Sequence, residues 1–211
     1  MAKRSNNTNQ ISLFPETVYE YHILLSPSDT IKEEVDALKQ MLHEMVGIAE
    51  RDRKSIAHIT LLKTEGYESV DMKAMIKNAV AGEKKFTVKL NGHNHFENGT
   101  VRTLYLAVED PEPIANLVDL IKNPTKKRQP KIVNRQTSII DKPVKLKPKK
   151  PSMIPHVTIA GNIAAADFER IEDFTAFETY QAEWLCDRIT IRRRVAGTDK
   201  HFSPAGEVKL G

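Results

Sequence analysis

Two short stretches constrain this chain more than anything else in it. "IAHITLLK", from Ile56, and "IPHVTIAG", from Ile154, each set a histidine and a threonine one residue apart inside an otherwise apolar run. In a strand, successive side chains point to opposite faces. His58 and Thr60 therefore share one face, with Ile59 and Leu61 on the other. His156 and Thr158 oppose Val157 and Ile159 in the same way. The apolar face packs under helices, and the polar pair lines whatever lies opposite. The two motifs stand 98 residues apart, from His58 to His156.

The surrounding pattern reads as alternating strands and helices. "VYEYHILLSPS" is a strand closing at Ser26-Pro27-Ser28. Ile31, Val35, Leu38, Leu42 and Met45 recur at helical spacing behind it. Thr30 with Glu33 suggests a capping box, and Gly47 suits the stop. A second helix covers "SVDMKAMIKNAVAG", and the methionines at 41, 45, 72 and 75 read as core. Asn98-Gly99 signals a hairpin, and a helix follows over Pro113 to Ile121. After the second motif, "AAADFERIEDFTAF" reads as one helix with Phe168, Ile171 and Phe174 on a stripe. "YQAEWLCDRITIRRRV" reads as a strand pair or one long strand, and "GEVKLG" as a last short one. Each half thus holds one motif strand followed by a helix, which suggests two related lobes.

Charge is unevenly distributed. Residues 122–150 contain 11 Lys or Arg against one acid, Asp141, a local net charge of +10. With +4 overall, the rest of the chain carries −6. Pro124, Pro130, Pro143 and Pro148 punctuate the segment and Pro151 follows it, so it reads as an irregular basic insertion able to neutralise the phosphates of RNA. A solvated loop whose lysines confer only solubility is the plain alternative. Residues 1–12 read as a polar, disordered tail without the apolar core of a secretory signal. No apolar run is long enough to span a bilayer, so no membrane partner is expected. The lone Cys186 excludes an internal disulfide and a cysteine zinc site, reads as buried packing, and fits a reducing compartment, the cytoplasm.

If the two motif strands lie together, two imidazoles and two hydroxyls meet. Histidine titrates near neutrality, so one ring can act as base and the other as acid. Threonine hydroxyls can donate to phosphate oxygens as charge builds in the transition state. Such a set could deprotonate an attacking oxygen and protonate a leaving one across a phosphodiester, with no metal and no cofactor.

The pair "HITL" and "HVTI", with Pro155 before the second histidine, resembles the signature of the 2H phosphoesterase superfamily, which includes 2′-5′ RNA ligase-like proteins and cyclic phosphodiesterases. "HFENGTVRTLYLAV" resembles the strand pair found between that family's motifs, and the similarity spans residues 18 to 200. The resemblance implies a bilobal α+β fold over residues 13–211: two antiparallel sheets facing a central cleft, helices outside. It implies catalytic roles for His58 and His156 and phosphate binding by Thr60 and Thr158. It also implies metal-independent attack on 2′,3′-cyclic phosphates, 2′-5′ linkages or cyclic oligonucleotides, with ligation as the reverse reaction. The expected partner is a nucleotide or RNA carrying such a group. Lys63 and Gly161 hold matching positions after the two motifs, so the halves are not equivalent there.

Other residues are weaker candidates. Phe96 can stack on a base at the site's edge. Arg192 and Arg194 share a face of "ITIRRRV", opposite Arg193, and can reach phosphate. Lys63 falls on the face opposite His58 unless its strand bulges. His93 and His95, even with His22, make a thin case for a metal, and a water-exposed hairpin edge is the simpler reading. The rival function is a non-catalytic RNA-binding protein using residues 122–150. The oligomeric state is not legible.

Overall fold

The structure is a computed structural model that describes residues 16–124, 153–171 and 173–211. The expected tail at 1–12, and all of the basic insertion beyond Pro124, lie outside the described residues.

Among the described residues, eight strands form one antiparallel sheet: β1 (Val18–Leu25), β2 (Ile59–Tyr67), β3 (Phe86–Asn98), β4 (Val101–Val108), β5 (His156–Ala164), β6 (Gln181–Cys186), β7 (Arg188–Val195) and β8 (Ser203–Lys209). Their order is β6-β3-β4-β5-β2-β1-β7-β8. The helices are α1 (Asp29–Val46), α2 (Glu50–Arg53), α3 (Met72–Ala79), α4 (Glu112–Lys122), α5 (Ala165–Phe168) and α6 (Thr175–Glu178).

The expected pair of facing sheets is corrected. Ile59 pairs with Val157, so the two motif strands are hydrogen-bonded neighbours and the sheet runs unbroken through them. In place of two facing lobes, β2-β1-β7-β8 on one side of that single sheet mirrors β5-β4-β3-β6 on the other.

The sheet must also curl. β6 and β7 are first and seventh in order, which would part them by about 29 Å if flat, at about 4.8 Å per strand. Only Asp187 links them, a step of about 7 Å. The ends are stitched where Leu210 N donates to Asp187 O at 2.8 Å and Lys85 N to Gly211 O at 2.9 Å.

One face of the sheet carries the core. Tyr21, Ile23, Leu61, Leu104, Leu106, Val157, Ile159 and Ile191 pack with Val35 and Leu42 of α1, Ile76 of α3 and Leu117 of α4. No helix among the described residues is long and apolar enough to cross a membrane. Cys186 is buried as expected, and burial pushes its thiol up to about 12.

Local expectations are refined. Ser28, not Thr30, caps α1, its hydroxyl accepting from Ile31 N, while Gly47 at φ 68° ends the helix. The long helix expected after the second motif is two single turns, α5 and α6, and Asp173 restarts the second by accepting from Thr175 N at 2.7 Å. Of the four methionines read as core, only Met72 is buried; Met41, Met45 and Met75 are exposed. The expected hairpin forms one residue further on: Asn98 pairs with Val101, so Gly99, at φ 63°, and Thr100 make the turn.

Candidate active site

The face away from the core collects the chemistry. His58 precedes β2 and His156 opens β5. Each ring is anchored the same way: Nδ1 lies 2.7 Å from the carbonyl two residues back, Ile56 for His58 and Ile154 for His156. A carbonyl only accepts, so both Nδ1 atoms carry the proton and both Nε2 atoms are left for a substrate. Continuing the antiparallel register one residue beyond Ile59↔Val157 sets His58 across from Thr158 and Thr60 across from His156. The two histidines then sit on a diagonal, with Cα atoms about 8 Å apart for ordinary strand spacing and rise.

A bulge completes the site. Ile23 pairs with Leu62 and Leu24 with Thr60, so Leu61 has no partner on β1. Two successive leucines thereby turn toward the helices, Leu61 buried and Leu62 packed on the core. This extra residue resets the alternation. Lys63, which a regular strand would put opposite His58, pairs with His22 on the site face. The matching slip on β5, beyond Thr158, leaves Ile159 and Ala160 both buried.

The sequence reading gives His22 no role except as a distant metal ligand. The structure puts it beside the first motif, with Nε2 2.9 Å from Thr60 Oγ1 and its ring edge-on to His58 at 4.9 Å. The strand alternation of "YEYHILL" sends Tyr21 and His22 to opposite faces, and that is the signal that could have found it. Burial lowers His22 to about 3, helped by His58, Lys63 and Arg192. Burial also holds His58 below its usual value, against the Ile56 carbonyl bond and with Lys63, Arg192 and Lys39 assisting. Lys39 is fully buried in α1 and bonds Ser55 O and Oγ, just before the Ile56 carbonyl that anchors His58.

The other half of the site is aromatic. Tyr105 pairs with Thr158 on β4, and its ring lies 4.9 Å from that of His156. Phe96 stacks on Tyr105 at 4.4 Å and meets His156 edge-on at 5.1 Å. Phe96 therefore lies beside the second histidine. Tyr105 and Phe202, which packs on His22 at 5.6 Å, carried no sequence signal beyond being aromatic.

Arg192 pairs with His22 on β7 and faces the site. Arg194 shares that face, but it is held by Glu20 at 2.7 Å and lies over the Phe202 ring at 4.7 Å. Arg193 points the other way, over Tyr19. The exposed-edge reading of His93 and His95 is corrected: His93 stacks on Phe174 at 4.9 Å and His95 lies 4.9 Å from Phe168. The aromatic residues of α5, α6 and their link cover that edge. Among the described residues, no three His, Cys, Asp or Glu side chains cluster as metal ligands.

Asp52 of α2 ties the segment before His58 to the strand of His156, its Oδ2 accepting from Gly161 N at 2.9 Å. An apolar cavity of 690 Å³ between Leu62, Met72, Ile76 and Ile121 lies on the helix side, away from the histidines.

Comparison with known proteins agrees with this arrangement. The fold matches Escherichia coli LigT complexed with 3′-AMP at a TM-score of 0.56 and 13% identity, covering 93% of this chain and 99% of that one. It matches TT0787 of Thermus thermophilus at 0.53 and 14% identity, covering 90% and 97%. No curated protein sequence matches the chain. A family model described as the 2′-5′ RNA ligase superfamily matches residues 27–198. The chain belongs to that superfamily, the 2H phosphoesterases.

Proposed function

We propose that the protein is a phosphodiesterase that cleaves a 2′,3′-cyclic phosphate or a 2′-5′ linkage in a nucleotide or RNA by two-histidine acid–base catalysis. The observation that carries this reading is the matched pair of rings, each with Nδ1–H tied to the backbone two residues upstream and Nε2 free, set diagonally across one strand pair. Membership of the 2H phosphoesterases supports it.

The two rings differ in their surroundings. Burial and the cations Lys63 and Arg192 disfavour an imidazolium at His58, so His58 is the neutral base that takes a proton from water or a ribose hydroxyl. His156, flanked by Phe96 and Tyr105, gives a proton to the leaving oxygen. Thr60 and Thr158 donate to the phosphate oxygens as negative charge grows there. His22 stays neutral; in its Nε2–H tautomer it donates to Thr60 Oγ1 and leaves the threonine proton for the phosphate. Phe96 stacks on a base, and Arg192 faces the phosphates. Arg194, engaged by Glu20, acts through the shape of the rim. No step requires a metal or a cofactor.

The purified protein is assayed on 2′,3′-cyclic and 2′-5′-linked nucleotides. The rate follows a bell-shaped pH profile, and His156→Ala lowers kcat at least 100-fold, in line with roughly 10²–10⁴ for general acid–base groups. Full activity in that variant refutes the assignment. The rival reading, RNA binding through residues 122–150, is separated by deleting Lys126 to Lys150. Turnover of a small cyclic nucleotide survives the deletion if the histidine site is the enzyme.

A further inference from the structure

Three strands bring a row of residues to one level on the site face: Lys63 on β2 pairs with His22 on β1, which pairs with Arg192 on β7. Neither cation makes an ion pair among the described residues. Two acids lie next along this face, Glu20 and Glu65, which pair across β1 and β2. Glu20 feels Lys63 but is bonded to Arg194 Nε at 2.8 Å and to Gly197 N, and Glu65 makes no ion pair among the described residues. The ring between the two cations is uncharged. Two positive side chains thus flank a neutral floor beside His58, with no carboxylate spent on them. The mirror half, β5-β4-β3, puts Tyr105 and Phe96 against His156. The position matching Lys63 there is Gly161. This face of the sheet is therefore cationic toward His58 and aromatic toward His156.

A single scissile phosphate between the histidines does not need both cations. Lys63 and Arg192 stand two strand spacings apart, about 10 Å between Cα atoms, and their long side chains can close over one anion above His22.

We propose that the Lys63–His22–Arg192 row is a subsite for a second phosphate of the substrate, next to the scissile one on the His58 side. The preferred substrate is then an oligonucleotide end or a nucleotide bearing a further phosphate, its base stacked at Phe96, and not a bare cyclic mononucleoside. This rests on the phosphodiesterase reading for the position of the scissile group.

The test is equilibrium binding, independent of turnover. Titration calorimetry compares adenosine 3′,5′-bisphosphate with adenosine 3′-monophosphate on the full chain. The wild type binds the bisphosphate at least tenfold more tightly, and the advantage shrinks as salt rises from 50 to 500 mM. Lys63→Met and Arg192→Met each cut the advantage to about threefold or less. Equal affinities in the wild type, or an advantage that survives in both variants, overturns the subsite. Absence of turnover on any cyclic or 2′-5′-linked nucleotide would instead count against the catalytic reading while the calorimetry still decides the subsite.

Discussion

Replacing His22 with leucine tests the buried floor of the site in numbers. His22 is 7% exposed, and its proton affinity falls from an ordinary value near 6.5 to about 3. Between those two values the unfolded chain binds a proton that the folded chain does not. Stability is therefore full above about pH 6.5 and is lost as pH falls toward 3. Each pH unit in that window is worth about 1.36 kcal/mol, so by pH 4 the wild type has lost about 3 kcal/mol through His22 alone. His22→Leu removes this contribution while other titrating groups stay common to both proteins. Urea unfolding at pH 7 and pH 4 is followed by fluorescence of Trp184, the one tryptophan, which is buried on β6. The wild type loses about 3 kcal/mol more than the variant between the two pH values. Equal losses in the two proteins refute the claim that His22 is held neutral by burial between Lys63 and Arg192. At pH 7 the same variant strips the partner from Thr60, and kcat falls about 5- to 100-fold, the span of one lost hydrogen bond at ~1–3 kcal/mol.

Two further outcomes follow from the same geometry. Phe96→Ala removes the stacking surface beside Tyr105 and His156, and raises KM for a base-bearing substrate by roughly 5- to 100-fold at ~1–3 kcal/mol per stacked base, with kcat changed less; an unchanged KM refutes the stacking role. Ile59→Ala empties a fully buried position at the pair that joins the two halves, and chemical denaturation should show a loss of about 2–5 kcal/mol.

Much of this site could be read before folding. A His-apolar-Thr run has a period of two, and that period alone assigns its imidazole and hydroxyl to one face and its isoleucine, leucine or valine to the other. Arg192 and Arg194 separated from Arg193 on the same argument, and the structure keeps that separation. The hairpin after Asn98 was equally local, because Gly99 supplies the positive φ that a two-residue turn needs.

What escaped depends on partners far away in the chain. Nothing within "IAHITLLK" says that β5 will be its neighbour, so two sheets and one sheet looked alike until Ile59 met Val157. Nor does the stretch declare that Leu61 and Leu62 will both be buried. That follows from the core beneath them, and it turns Lys63 onto the face it would otherwise oppose. His22 is a strand residue like any other in the sequence, and joins the histidine face only through its bond to Thr60 and its register with Lys63 and Arg192. The sequence by itself determined which residues pair up as His-x-Thr and which face of its strand each shares, since side-chain alternation is local. The tertiary structure decided which strands lie side by side and where one residue is skipped, since register is set by long-range packing and a slip of one residue reverses every side chain beyond it.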